Sequence, residues 1–66
     1  MSLAKERVQV ARPVYENSLA VGIVGIALPA QHSVVAGRYF LLPESNKDLD
    51  IVEDLLFSES ELELLP

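Results

Sequence analysis

The sequence contains no cysteine and no tryptophan, and it has a single histidine. Without cysteine the chain can form no disulfide bond, and a structural zinc site, which takes four Cys or His ligands, is not to be expected either. Very small domains normally need such a staple, because a core of fewer than roughly 70–80 residues seldom supplies more than about 3–5 kcal/mol. The staple that remains is association with another chain.

Hydrophobic runs long enough to cross a membrane are also absent. The most apolar stretch, residues 19–28, reads LAVGIVGIAL, whereas a membrane-spanning helix needs about 20 apolar residues. We therefore expect no membrane partner. The lack of cysteine is compatible with a reducing compartment, and we expect a cytoplasmic location.

Apolar residues are nevertheless abundant for so short a chain. They make up 50% of the 66 residues, and the mean hydropathy is +0.28. A chain of this length forms one domain, residues 1–66, whose interior is too small to bury so many apolar side chains. The surplus is expected at an interface between copies of the chain. We therefore expect a homo-oligomer, most simply a two-fold dimer.

Positive charge is scarce in the second part of the chain. Residues 1–43 carry four cations and two carboxylates, a net charge of +2, whereas residues 44–66 carry one cation and eight carboxylates, a net charge of −7. The acidic part repels a phosphate backbone, and four scattered cations are few for nucleic-acid binding. We expect no nucleic-acid partner, and a basic protein partner fits the acidic part better.

Three stretches of residues 1–43 have the pattern of β-strands. Residues 7–15 begin with alternating apolar and polar side chains. Residues 19–28 are apolar and rich in Val and Ile, and residues 33–42 are mostly apolar. Short connections favour antiparallel neighbours. Gly22 and Gly25 within the second stretch indicate a bulge or the close approach of another backbone.

The pattern changes to a helical period after residue 48. Leu49, Val52 and Leu56 follow the spacing i, i+3, i+7. We therefore predict an α+β fold, in which a small three-stranded, antiparallel sheet carries one C-terminal helix near residues 48–57 and is completed by oligomerisation. Residues 58–66 fit either a strand, because their side chains alternate, or a second short helix capped by Ser58 and Glu61.

Recognisable catalytic and metal-binding patterns are lacking. His32 has no partner at a recognisable spacing, and the acidic run from Asp48 lacks the glycine and the ligand positions of a calcium-binding EF-hand loop. No glycine motif for phosphate binding occurs. We expect no catalytic residues within one chain, no metal and no cofactor.

Two Arg–Tyr pairs lie in the predicted strands. If those strands are neighbours, the pairs could form an anion-binding patch. Alternatively, the Arg residues could meet the acidic segment of the same chain or of a partner chain. The candidate residues are Arg12, Tyr15, Arg38 and Tyr39.

The acidic segment after residue 48 is the candidate interaction surface. An apolar stripe with acidic flanks is typical of a helix that docks into a groove, although the stripe could also cover one face of its own sheet. The candidate residues are Leu49, Val52, Leu55, Leu56, Asp50, Glu53 and Asp54.

These features favour a non-enzymatic, small acidic module that oligomerises or binds other proteins, as an adaptor or regulator. Two alternatives remain open. One is an acidic inhibitor or antitoxin that covers a basic site on a partner. The other is an enzyme subunit whose active site forms between chains, with the candidate residues Glu16, His32, Arg38 and Tyr39.

Overall fold

The computed structural model of the chain describes residues 3–30 and 37–66. Its strands are β1 (Arg7–Val10), β2 (Val24–Pro29), β3 (Arg38–Pro43), β4 (Phe57–Ser58) and β5 (Leu62–Leu64). They form one antiparallel sheet in the order β4-β3-β2-β1-β5. The helical elements of the described ranges are the 3₁₀ helices η1 (Tyr15–Ala20), η2 (Asn46–Asp48) and η3 (Glu59–Glu61), and the α-helix α1 (Leu49–Val52).

The two edge strands of this sheet follow one another along the chain. β4 and β5 lie at opposite ends of the strand order, yet only the short helix η3 separates them. Four spacings of about 4.8 Å would hold the edges of a flat sheet roughly 19 Å apart, whereas the four peptide steps from Ser58 to Leu62 span at most roughly 14 Å. The sheet must therefore curl, and it forms a half-barrel.

The predicted three-stranded sheet is wrong, because β4 and β5 add a strand at each edge. The first two predicted strands are also too long. Of residues 7–15 only β1 pairs in the sheet, and residues 19–28 begin inside η1. Gly22, with φ of +86°, then turns the chain into β2. The third predicted strand contains β3, and its residues 33–36 lie outside the described ranges.

The predicted helix over residues 48–57 is also wrong, because only the single turn α1 is α-helical, continuing directly from η2. Ile51 and Val52 in this turn are β-branched and poor helix formers. The last turn contains no basic residue, and the carboxylate at its C-terminal end opposes the helix dipole. Phe57 then pairs with Tyr39 of β3 and is fully buried, so tertiary packing ends the helical segment.

The residues after 57 combine both of the alternatives that the sequence left open. Ser58 and Glu61 form the capping box that their spacing predicts, but they enclose the 3₁₀ helix η3 rather than a longer helix. The alternating residues Leu62–Leu64 then form β5, which pairs with β1. A helical cap and a strand therefore follow within a few residues.

The core fills the concave inner face of the sheet. Val8 and Val10 of β1 point inward and are fully buried, whereas Arg7 and Gln9 between them point outward. The elements η1 and α1 close this core and contact each other. Their buried apolar residues are Ala20 and Val52. None of the helices in the described ranges is long and apolar enough to span a membrane.

Gly25 lies where the backbone of β3 comes very close to β2. A Cβ atom at this position would be 2.8 Å from the carbonyl carbon of Leu42 and 2.9 Å from Cα of Pro43, and it would overlap the carbonyl oxygen of Leu42. Only glycine fits, as the sequence indicated for a close approach of another backbone. The close contact between β2 and β3 at this position therefore requires glycine.

Lys5 adopts a left-handed backbone conformation with φ of 64°, and it is the only non-glycine residue in the described ranges with a positive φ. Its amide donates to the carbonyl oxygen of Ala27 at 2.6 Å. Leu3, two residues earlier, is buried, and its amide donates to the Tyr39 hydroxyl at 3.1 Å. This turn fastens the start of the described chain to the sheet.

Lys5→Gly is expected to raise the free energy of unfolding by about 0.5–1 kcal/mol. Glycine avoids the steric cost of about 1–2 kcal/mol that an L-residue has in the left-handed region, and its greater freedom in the unfolded chain offsets part of that gain. Urea unfolding followed by circular dichroism measures the difference. The control Lys47→Gly removes the same charge within η2 and should lower stability. A lower stability for Lys5→Gly would contradict the strain argument.

Candidate interaction surface

The outer face of the sheet carries apolar side chains where a solvated face would carry polar ones. Residues directly opposite one another in a sheet share a face, so the pairs Ile26–Leu42 and Leu28–Phe40 both lie outside. Phe40 and Leu42 remain 42% and 52% exposed, and Ile26 and Leu28 are half-buried. We call these four residues the outer patch.

An ion pair borders the outer patch. Arg7 lies opposite Ile26 on β1, and its Nε is 2.7 Å from Oε2 of Glu44, while Nη2 is 3.4 Å from Oε1. The hydrogen bond from Arg7 lowers the pKa of the Glu44 carboxyl. Both side chains are about half exposed, so this pair contributes little stability. It does neutralise the carboxylate at this border.

A second apolar surface lies on η1 and α1. Each of these elements buries one side in the core, with Asn17 and Ala20 in η1 and Val52 in α1. Their other side chains project into solvent. The exposed fractions in this group, which we call the η1–α1 surface, are 89% for Tyr15, 84% for Leu19, 40% for Leu49 and 39% for Ile51.

The structure divides the predicted interaction residues between the core and the solvent. Val52 is fully buried, so at this position the apolar stripe does cover its own sheet. Leu55 and Leu56 lie beyond α1 and are half-buried, whereas Leu49 is exposed. The predicted carboxylates are exposed and form no ion pair with another described residue: Asp50, Glu53 and Asp54.

The four residues of the predicted anion-binding patch occupy different environments. β1 and β3 are not neighbours, because β2 lies between them. Tyr39 is buried, and its hydroxyl accepts a hydrogen bond from the amide of Leu3. Tyr15 is exposed on η1, Arg38 is half-buried at the start of β3, and Arg12 is exposed. No contact described in the structure joins these four residues to one another.

Arg12 instead holds the turn between the edge strands. Its Nε donates to the carbonyl oxygen of Ser60 at 3.1 Å, and its Nη2 donates to that of Leu62 at 3.3 Å. The guanidinium also lies 3.7 Å from the carboxylate of Glu63. This arrangement corresponds to the alternative in which an arginine meets the acidic segment of its own chain.

The residues suggested for an active site between subunits give no described constellation. Glu16 is exposed on η1 and forms no ion pair with a described residue. His32 lies outside the described ranges. In the part of the chain that the structure describes, no group of three His, Cys, Asp or Glu side chains could hold a metal ion.

A buried carboxylate joins η1 to η3 through a network of hydrogen bonds, and the sequence analysis did not predict this network. Glu61 is 1% exposed. Its Oε1 accepts hydrogen bonds from the Val14 amide at 3.0 Å and from Nδ2 of Asn17 at 2.9 Å. Its Oε2 accepts from the amide of Ser58 at 2.8 Å and from its hydroxyl at 3.1 Å. Four donors therefore converge on one carboxylate.

These hydrogen bonds keep Glu61 ionised. Burial alone would raise the pKa of its carboxyl, but the hydrogen bonds from Ser58, Val14 and Asn17 outweigh burial and lower it. The spacing of Ser58 and Glu61 signalled the capping box, whereas no local pattern signals the contact with Asn17, 44 positions away in the chain. All the donors belong to residues of the fold itself, so the role of this carboxylate is structural.

Comparison with known proteins adds no relative to this description. No family model matches the chain, and no curated protein or solved structure matches it either.

Proposed function

We propose that the chain is a non-catalytic interaction module that associates with copies of itself through the outer patch. The observation that supports this most directly is the pairing of exposed apolar side chains across β2 and β3, Ile26 with Leu42 and Leu28 with Phe40. Contiguous apolar residues on the exposed side of a sheet are characteristic of association surfaces. An aromatic ring at such a patch is a favourable anchor for binding.

Because the chain is small, self-association would add to the stability of its folded state. The domain has no cysteine for a disulfide, and a core this small provides only a few kcal/mol. Covering the outer patch removes more apolar area from water at about 25 cal/mol per Å². Binding of a second copy to the folded state would therefore stabilise the fold. The lack of cysteine also supports our proposal of a cytoplasmic location, which cell fractionation can test.

The test is the mass of the protein in solution. Light scattering at micromolar concentration is expected to give a mass above the 7.3 kDa of one chain. Leu42→Glu places a charge in the middle of the patch, and burying an unpaired charge is costly. We expect the dissociation constant to rise at least about 100-fold, which corresponds to about 2.8 kcal/mol.

Leu64→Glu is the matched control for this experiment. Leu64 is 47% exposed, close to the 52% of Leu42, and it also lies in a strand. Its strand partner is the inward-pointing Val8, so it lies on the other face of the sheet. The control should keep the wild-type mass. A monomeric wild-type protein, or equal effects of the two substitutions, would show that the outer patch is not the association surface.

A further inference from the structure

The chain exposes two separate apolar surfaces, the outer patch and the η1–α1 surface. The outer patch lies on the convex side of the sheet, whereas the η1–α1 surface belongs to elements that close the concave side. A two-fold dimer through the outer patch brings together the same surface from both copies. It would leave Tyr15 and Leu19, which are more than 80% exposed, in water. One contact that covers both surfaces is therefore more favourable.

The charges around the two surfaces differ in sign. Four exposed carboxylates lie in η1, in α1 or directly after α1, and none forms an ion pair with a described residue: Glu16, Asp50, Glu53 and Asp54. At the outer patch, Arg7 neutralises Glu44. Arg38 lies two residues before Phe40 and therefore on the same face, and it has no ion pair with a described residue. The patch thus keeps a positive charge.

This difference decides which surfaces can meet. Two copies of the η1–α1 surface would place carboxylates against carboxylates, which is repulsive. The contact between an η1–α1 surface and an outer patch instead brings carboxylates towards Arg38 and covers apolar side chains on both sides. Charge complementarity of this kind selects the partner surface and its orientation.

We propose that the chains associate head to tail, with the η1–α1 surface of one copy packed on the outer patch of the next. This inference rests on the proposed self-association and names the surface that occupies the outer patch. A contact between two different surfaces repeats from copy to copy, so the assembly is a ring if the rotation closes and an open chain if it does not.

Two complementary variants test this contact. Leu42→Glu damages only the outer patch, and Leu19→Lys damages only the η1–α1 surface, where it places a positive charge opposite Arg38. Each variant alone should have the mass of one chain. Mixed in equal amounts, they should associate into complexes of at least twice that mass, because each contributes the undamaged half of one contact. Sedimentation velocity measures the masses, and circular dichroism checks that both variants are folded.

Each remaining outcome has a definite meaning. If Leu19→Lys assembles like the wild type and Leu42→Glu does not, the outer patch contacts itself, so self-association stands and the head-to-tail contact is wrong. If both variants are monomers that do not combine, the head-to-tail contact is also wrong. A monomeric wild-type protein overturns both proposals. Leu64→Lys, at an exposed leucine outside both surfaces, should assemble normally.

Discussion

Gly25→Ala is expected to lower the free energy of unfolding by about 3 kcal/mol or more, at the upper end of the cost of overpacking. The new methyl group would overlap the carbonyl oxygen of Leu42 and lie 2.9 Å from Cα of Pro43. Backbone atoms of a paired strand cannot rotate away as the end of a side chain can, so β2 and β3 must separate. Since small cores supply only about 3–5 kcal/mol, the variant should keep little of its stability.

Gly22→Ala separates this overlap from the general effect of adding a methyl group. Gly22 has a φ of +86°, but no atom lies within 4 Å of the position of its Cβ. We expect only the strain of a left-handed residue, about 1–2 kcal/mol. Urea unfolding of the two variants under the same conditions gives the comparison. Equal losses would mean that β3 can move away from Gly25 at little cost.

Glu61→Gln is expected to lower the free energy of unfolding by about 2–4 kcal/mol, because buried donors that lose their acceptor cost about 1–3 kcal/mol each. The amide that replaces one carboxylate oxygen would direct its own donors at the amide of Val14 or at that of Ser58. The hydrogen bonds to the ionised group are also the stronger kind. Thermal and urea unfolding measure the loss.

Glu59→Gln is the matched control, because Glu59 lies in the same 3₁₀ helix but is exposed. It removes the same charge and should change stability by less than about 0.5 kcal/mol. If the two substitutions have the same effect, the buried network contributes no more than a surface charge does.

The stability of the wild-type protein should also depend on pH through Glu61. Its pKa in the folded state is lower than the ordinary value of 4.5, so the folded state binds this proton less readily than the unfolded state does. The stabilisation is therefore fully present above the unfolded pKa and is lost as the pH falls through the folded pKa. The difference between wild type and Glu61→Gln should shrink in acid, and a constant difference would contradict this assignment.

The sequence predicted the parts of the fold that are set by nearby residues. The alternation around Val8 and Val10, the close approach at Gly25 and the cap formed by Ser58 and Glu61 are local signals. The predicted helix over residues 48–57 followed equally from a local pattern, but burial of Phe57 beside Tyr39 ended it. Packing between distant residues overrides local preference in this way.

The candidate surfaces also could be predicted only in part, because local patterns do not determine contacts between distant residues. The sequence indicated a surplus of apolar side chains, but strand register decides which of them point outward, and no local pattern reveals that Ile26 pairs with Leu42. The stripe containing Leu49 and Val52 was visible, whereas its division into an exposed and a buried residue depends on where α1 meets the sheet. The link between Asn17 and Glu61 joins residues too far apart in sequence for any pattern to reveal.

The placement of both edge strands after β3 has a consequence for how the chain folds as it is made. The ribosome synthesises β1, β2 and β3 first. In the completed sheet these are the three middle strands, so both of their outer edges stay unpaired until the later strands are made. Unpaired strand edges and an exposed outer patch make such a species prone to aggregation. The residues of β4, η3 and β5 then emerge together and complete both edges within a few residues. Folding of this small domain is therefore expected to be a single late step that follows synthesis of β5, rather than a gradual one.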